Sequence, residues 1–201
     1  MPAKLYEVEL NKLYLSILNN LDYQYAFNYS WRDKLEIADS TWNNMHLVSV
    51  NSQNHVIGMI FYRIDREKLI ADDLQIINFK KDKLSLIFGR DLRQAILDIF
   101  FKYRFHKLNF EVNIGNPAEK MYDRWIHRIG GNIVGILHDQ SLLQNGYYAD
   151  QKWYEVLREN FITSEVGINY QYRLQKKDEH HVSRLSTVRD RSAKKIPILS
   201  K

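Results

Sequence analysis

Residues 107–137 read Lys107-Leu-Asn-Phe-Glu-Val-Asn113-Ile-Gly115-Asn116-Pro117-Ala-Glu119-Lys-Met-Tyr122-Asp-Arg-Trp125-Ile-His-Arg-Ile-Gly130-Gly131-Asn-Ile133-Val-Gly-Ile-Leu137. Apolar and polar residues alternate from Lys107 to Val112, which is the period of a strand with one buried face. Asn113-Ile114-Gly115-Asn116-Pro117 supplies turn and cap chemistry for a helix start. The helix stops at the glycine pair Gly130-Gly131, and Ile133 to Leu137 is strand-like again. Strand, Asn-capped helix, glycine stop and strand form one compact unit, so this part of the chain belongs to a sheet covered by helices.

Working outward, Val8–Asn20 carries a helical stripe of Leu10, Leu13, Tyr14, Ile17 and Leu18. Asp33–Trp42 reads as a short helix. His46–Val50 and Val56–Ile64 read as a hairpin around the Ser52-Gln53-Asn54 turn, and Leu74–Phe79 as a third strand. Leu86–Tyr103 turns helical, with Leu92, Ile96, Ile99 and Phe100 at offsets of three and four. Trp153–Leu157 is a last strand, and Asn160–Leu174 reads as either a helix or a hairpin. The expected fold is α/β, with a mixed, mostly antiparallel central sheet flanked by helices. Residues 1–161 are expected to form the domain and residues 162–201 a C-terminal extension with a basic tail.

The tail holds the charge. From Lys176 to Lys201 there are eight basic and three acidic residues, so the whole net charge of +5 resides there and the rest is formally neutral. Such a tail can hold nucleic acid, or can simply be a solvated extension. No run approaches the roughly 18 apolar residues of a membrane span. The first ten residues contain acids and no apolar core, unlike a signal peptide. The absence of cysteine excludes disulfides, thiolate metal sites and a cysteine nucleophile, and fits a cytoplasmic protein. No metal site is expected, because His180-His181 has no further ligand cluster and the other histidines show no ligand pairing.

Two stretches resemble the GCN5-related N-acetyltransferase (GNAT) superfamily. One is the Asn116 helix ending at Gly130-Gly131. The other is Leu143-Gln144-Asn145-Gly146-Tyr147-Tyr148-Ala149-Asp150 followed by Trp153-Tyr154-Glu155-Val156-Leu157-Arg158-Glu159-Asn160-Phe161, similar to the family's loop and final strand. The order of elements from His46 to Leu157 is similar as well, over about half of the chain. The nearest branch acts on ribosomal-protein N-termini and small amines. The resemblance implies an acyl-CoA N-acyltransferase-like fold that passes an acetyl group from acetyl-CoA directly to an amine, either a small molecule or a protein N-terminus. It involves no membrane and allows a homodimer.

The resemblance also implies site residues. Acetyl-CoA would lie in a notch between Leu74–Phe79 and Lys107–Val112, held by backbone groups such as those of Ile77 and Phe79 and by Asn113 and Asn116. Tyr122 would face the departing thiolate: a phenol with a reference pKa near 10 suits protonation of a thiol with a pKa of roughly 8–9. Asn116 and Tyr122 are six residues apart where the family commonly has seven. The family's pyrophosphate loop matches Phe88-Gly89-Arg90-Asp91-Leu92-Arg93-Gln94-Ala95, where only Gly89 remains of the close-approach glycines. Gly89, Arg90 and Arg93, with the preceding lysines, are the candidates for the phosphates. The alternative is a chain that keeps the fold and has lost coenzyme binding. Glu67, Asp72 and Asp73 are the acids nearest the region where the family often keeps one for the amine. Tyr23, Tyr25, Phe27, Tyr29 and Trp31 fall where the family walls its substrate.

Overall fold

The computed structural model describes residues 1–18, 20, 34–38, 40–80, 84–143 and 145–176. A short helical turn, Ala3–Tyr6, leads into α1 (Glu7–Ile17). Then come β1 (Asn44–Val50), β2 (Val56–Asp65), β3 (Ile70–Asn78), α2 (Ser85–Leu97), β4 (Lys107–Asn113), α3 (Glu119–Arg128), β5 (Asn132–Leu142), β6 (Tyr148–Leu157), α4 (Arg158–Thr163) and α5 (165–176). The six strands lie in the order β1-β2-β3-β4-β6-β5. Only β3 and β4 are parallel; the other four pairings are antiparallel. This is the mixed, mostly antiparallel sheet read from the alternation pattern.

One face is covered by α2, α3 and α4. Phe88, Leu92, Ala95, Ile96, Phe110, Tyr122, Ile126, Tyr154 and Phe161 form its core. Helix α2 seats Phe88 on Gly58, where a Cβ would come within 2.5 Å of the ring. A side chain at position 58 would therefore lift the helix off the sheet. Gly130, at φ 72, gives α3 its left-handed stop, and its Cβ would meet the Asn160 carbonyl oxygen at 2.5 Å. Helix α5 resolves the Asn160–Leu174 alternative as helix; Val166 and Tyr170 pack on this same core, so the folded unit continues past Phe161.

The other face is covered by α1. Leu10, Tyr14 and Ile17 pack on Val48, Met59, Ile77 and Phe79. The helix expected over Asp33–Trp42 does not form in its described part. Leu35 instead donates its N–H to the Asn11 side chain at 2.8 Å, and Ala38 donates to His46 Nδ1 at 3.0 Å. These bonds hold residues 34–38 extended along α1 and β1 in place of helical ones. The Tyr23–Trp31 aromatics, His180-His181 and the basic tail beyond Lys176 lie outside the described residues.

A split sheet as candidate functional site

Parallel strands β3 and β4 pair at only two positions, Ile70 with Lys107 and Ala71 with Leu108. Asp73 follows at once with φ 56, a left-handed conformation that Asp tolerates better than most residues. Beyond it the strands part. The gap lies between the segments that start at Asp72 of β3 and Asn109 of β4.

On the α1 face of this gap, Glu111 of β4 hydrogen-bonds to Asp73 of β3. Burial first, then the charges of Asp73 and Asp72, push the Glu111 carboxyl up to about 7, with Arg63 opposing. Arg63 reaches Asp72 at 3.2 Å and Asp73 at 3.3 Å. Gln75 extends the group by donating to Asp73 at 2.7 Å. Next to Gln75 lies a cavity of about 230 Å3 between β1, β2, β3 and residues 35–36. Asp72 and Asp73 are thus strand residues of the site; Glu67 lies in the preceding turn.

On the opposite face, Tyr122 is buried, packed edge-on to Phe110 at 5.3 Å and Tyr154 at 6.0 Å. Burial, reinforced by the charge of Glu111, raises its pKa far above that of a free phenol. Glu111 and Tyr122 therefore sense each other across the split although their elements cover different faces. Helix α3 is held in place by Lys152 of β6, which binds Glu119 and, at 3.0 Å, Asp123. Tyr154 adds a hydrogen bond to Asp123 at 2.8 Å. Burial alone would raise the Asp123 carboxyl, but the bonds from Lys152 and Tyr154 outweigh it and hold it below its ordinary value.

A groove of about 490 Å3 runs between α2 and α3, lined by Gly89, Leu92, Arg93, Met121, Arg124, Trp125 and Arg128. The guanidiniums of Arg93 and Arg124 and the indole, beside an apolar floor, suit a phosphorylated nucleotide, since Arg forks bind phosphate oxygens and an indole stacks on a base; the Arg128 fork is taken by Glu165, at 3.1 and 2.7 Å. No group of three or more acidic or His side chains able to hold a metal occurs among the described residues.

The structure distributes the sequence candidates unevenly. Gly89 and Arg93 line the α2–α3 groove. The match of Phe88–Ala95 to a pyrophosphate loop is corrected: this stretch lies inside α2, which starts at Ser85 because Phe88, Leu92, Ala95 and Ile96 form its buried stripe. Asp91, which would have repelled phosphates in a loop, instead accepts a 2.6 Å hydrogen bond from buried Ser49 on β1. Arg90 turns to Asp91 at 3.4 Å, outside the groove lining. Phe79 donates its N–H to Ile57 of β2 at 2.9 Å. Antiparallel bonding alternates, so Ile77, opposite Met59, also bonds β2, and the N–H groups facing the gap are those of Ile76 and Asn78. Asn116 caps the turn into α3, its Oδ1 accepting from Ala118 N–H at 2.9 Å, while the Asn113 carbonyl accepts from Asn116 N–H at 3.0 Å.

Sequence reasoning missed Glu111, Arg124 and Arg128. Glu111 looked like any polar position of an alternating strand. The two arginines, four apart on α3 below Lys120, are the one periodic signal that pointed to a cationic helix face.

This architecture is the acyl-CoA N-acyltransferase-like fold. Among solved structures, spermidine N-acetyltransferase SpeG from Vibrio cholerae in complex with CoA and spermine matches with a TM-score of 0.59 at 18% identity, covering 76% of this chain and 92% of that one. A single-site mutant of that protein gives the same values. A chimera of it with hSSAT matches with a TM-score of 0.52 at 20% identity, covering 77% and 81%. No protein-family model and no curated protein sequence matches the chain. At these identities the likeness shows the fold. No helix among the described residues is long and apolar enough to cross a membrane.

Proposed function

We propose that this protein is an N-acetyltransferase using acetyl-CoA and a small amine. The observation that carries the reading is the split between β3 and β4, with the Glu111–Asp73 pair on one face and Tyr122 on the other. The residues present fit the cosubstrate. Arg93, Arg124 and Trp125 would hold its nucleotide end, and the gap bounded by Ile76 and Asn78 would admit its narrow arm. When bound it supplies an acetyl group activated as a thioester.

The chain's own groups do the rest. Glu111, with a proton affinity matched to neutral pH, takes the proton from the incoming ammonium and leaves a nucleophilic nitrogen. The neighbouring carboxylates favour approach of a cation. Tyr122 holds its proton at the hydroxyl, available to the sulfur that leaves. Its raised pKa guarantees the protonated form but weakens it as an acid. Once Glu111 has accepted a proton, the smaller cause of the Tyr122 shift is removed, while burial still holds the phenol up. Backbone groups on the open edge of β3 orient the acyl carbonyl, and positioning supplies much of the rate.

The test is a calorimetric titration with coenzyme A followed by thiol-release assays over a panel of amines. Micromolar binding and amine-dependent thiol release are expected. A coenzyme that produces no heat would leave the fold as a non-catalytic binding module.

A further inference from the structure

The cavity on the α1 face has a chemistry of its own. It holds about 230 Å3, roughly seven waters at liquid density, enough for one ring with a short linker. Leu35, Met59, Phe61 and Ile77 make it apolar. His46, Phe61 and Gln75 are successive cross-strand neighbours on β1, β2 and β3 and form a row across it. The His46 ring lies 4.7 Å from Phe61 at 55°. Its Nδ1 accepts the Ala38 N–H at 3.0 Å, and burial lowers its pKa, so the ring is neutral at pH 7. The amide of Gln75 is committed to Asp73.

Among the described residues, Glu36 is the one charged side chain of the lining, and Asn44, His46 and Gln75 are its neutral polar members. Glu36 stands exposed at the rim, and the other carboxylates, Asp73 and Glu111, gather at the split beyond Gln75. A cation placed against the apolar part of the lining would lose its hydration, with only the exposed Glu36 carboxylate to replace it. An apolar group placed there would gain by leaving water.

Resting on the acetyl-transfer reading, we propose that this cavity receives the body of the acceptor and selects a primary amine borne on one compact aromatic or branched aliphatic group. The reacting nitrogen then lies toward Asp73 and Glu111, and a linear polyamine, with further cations along its length, is the poorer substrate.

The experiment compares 2-phenylethylamine, 3-methylbutylamine and spermidine in the wild type, Met59→Phe and Met59→Ala. The readouts are kcat/KM by thiol release and amine affinity by calorimetry, with coenzyme affinity as the control for folding. At least a tenfold preference for the two monoamines over spermidine is expected. Met59→Phe, which fills the cavity, should lower 2-phenylethylamine affinity tenfold or more with coenzyme affinity unchanged. Met59→Ala, which enlarges it, should shift the preference from 2-phenylethylamine toward the longer 4-phenylbutylamine, assayed beside it in this variant and the wild type. A preference for spermidine, or a ranking that neither variant moves, would overturn the proposal while leaving acetyl transfer intact. If coenzyme A binds and no amine is acetylated, the acetyl-transfer reading fails. Calorimetry still decides the cavity: 2-phenylethylamine binding that Met59→Phe weakens supports it, and no binding overturns it.

Discussion

The two faces of the split sheet differ in charge more than in shape. On the α2–α3 side, Arg93 and Arg124 flank a groove with no carboxylate among its described lining residues, and Arg128 beside them is paired with Glu165. On the α1 side, Asp72, Asp73 and Glu111 crowd together with Arg63 as the cation that reaches them. On the proposed reading the first arrangement suits a polyanion and the second a cation, with the gap between β3 and β4 as their meeting point. A sheet with neutral faces would bind neither partner in a defined sense. Here the electrostatics assign an entrance to each.

The comparison breaks most visibly at Glu111. Glu111→Gln should lower kcat/KM by about 10²–10³-fold and remove the rise in rate with pH that is centred near 7 in the wild type. A pH–rate profile that keeps its limb in the variant would take Glu111 out of the reaction. The same substitution has an opposite effect on stability. A carboxyl raised to about 7 by burial stabilises the fold below its ordinary value, and that contribution is lost as pH rises through 7. Glu111→Gln should therefore melt a few degrees above wild type at pH 8 and close to it at pH 5, by calorimetric scans.

The opposite face is tested by Arg93→Ala with Arg124→Ala. Losing two phosphate-binding forks should weaken coenzyme A by about 10- to 100-fold and flatten its salt dependence, with little change in amine affinity. Equal losses for both substrates would erase the division of labour between the faces. Tyr122→Phe should slow turnover by about 10- to 100-fold with coenzyme affinity unchanged. An unaltered kcat would leave Tyr122 as a core aromatic between Phe110 and Tyr154. The smallest effect on chemistry is expected for Lys152→Met, which leaves Glu119 and Asp123 of α3 without their cation. About 2 kcal/mol of stability should be lost, seen as a lower Tm, together with a modest fall in kcat as Tyr122 loses its fixed platform.

Most strands and the helix periods were legible in the sequence because burial writes directly into alternation and into offsets of three and four. Phe110 and Val112 announced their strand, and Leu92, Ile96, Ile99 and Phe100 their helix. The site was less legible because it depends on where strands part, and no local pattern encodes that. Glu111 occupies the same kind of position as Lys107 and Asn109; only the loss of β3–β4 pairing after Ala71 sets it at the edge of a gap. The helix start was legible to within a residue, Leu86 against Ser85, but the loop match over Phe88–Ala95 failed for a related reason. Gly89 looked like a loop residue until Phe88 was seen resting on Gly58, a contact 30 residues distant in the chain. The helix proposed over Asp33–Trp42 lost to Asn11 and His46, whose side chains capture backbone groups of the segment.

Asp73 joins two properties that a designer would prefer to adjust separately. Its left-handed backbone sets where β3 turns away from β4, and its carboxyl partners Glu111. Asn at this position keeps the backbone preference and changes the proton chemistry, Gly keeps only the freedom to bend, and Ala opposes both. The width of the aperture and the basicity at its edge are thus inherited together, and retuning one without the other requires a compensating change at Glu111 or Arg63.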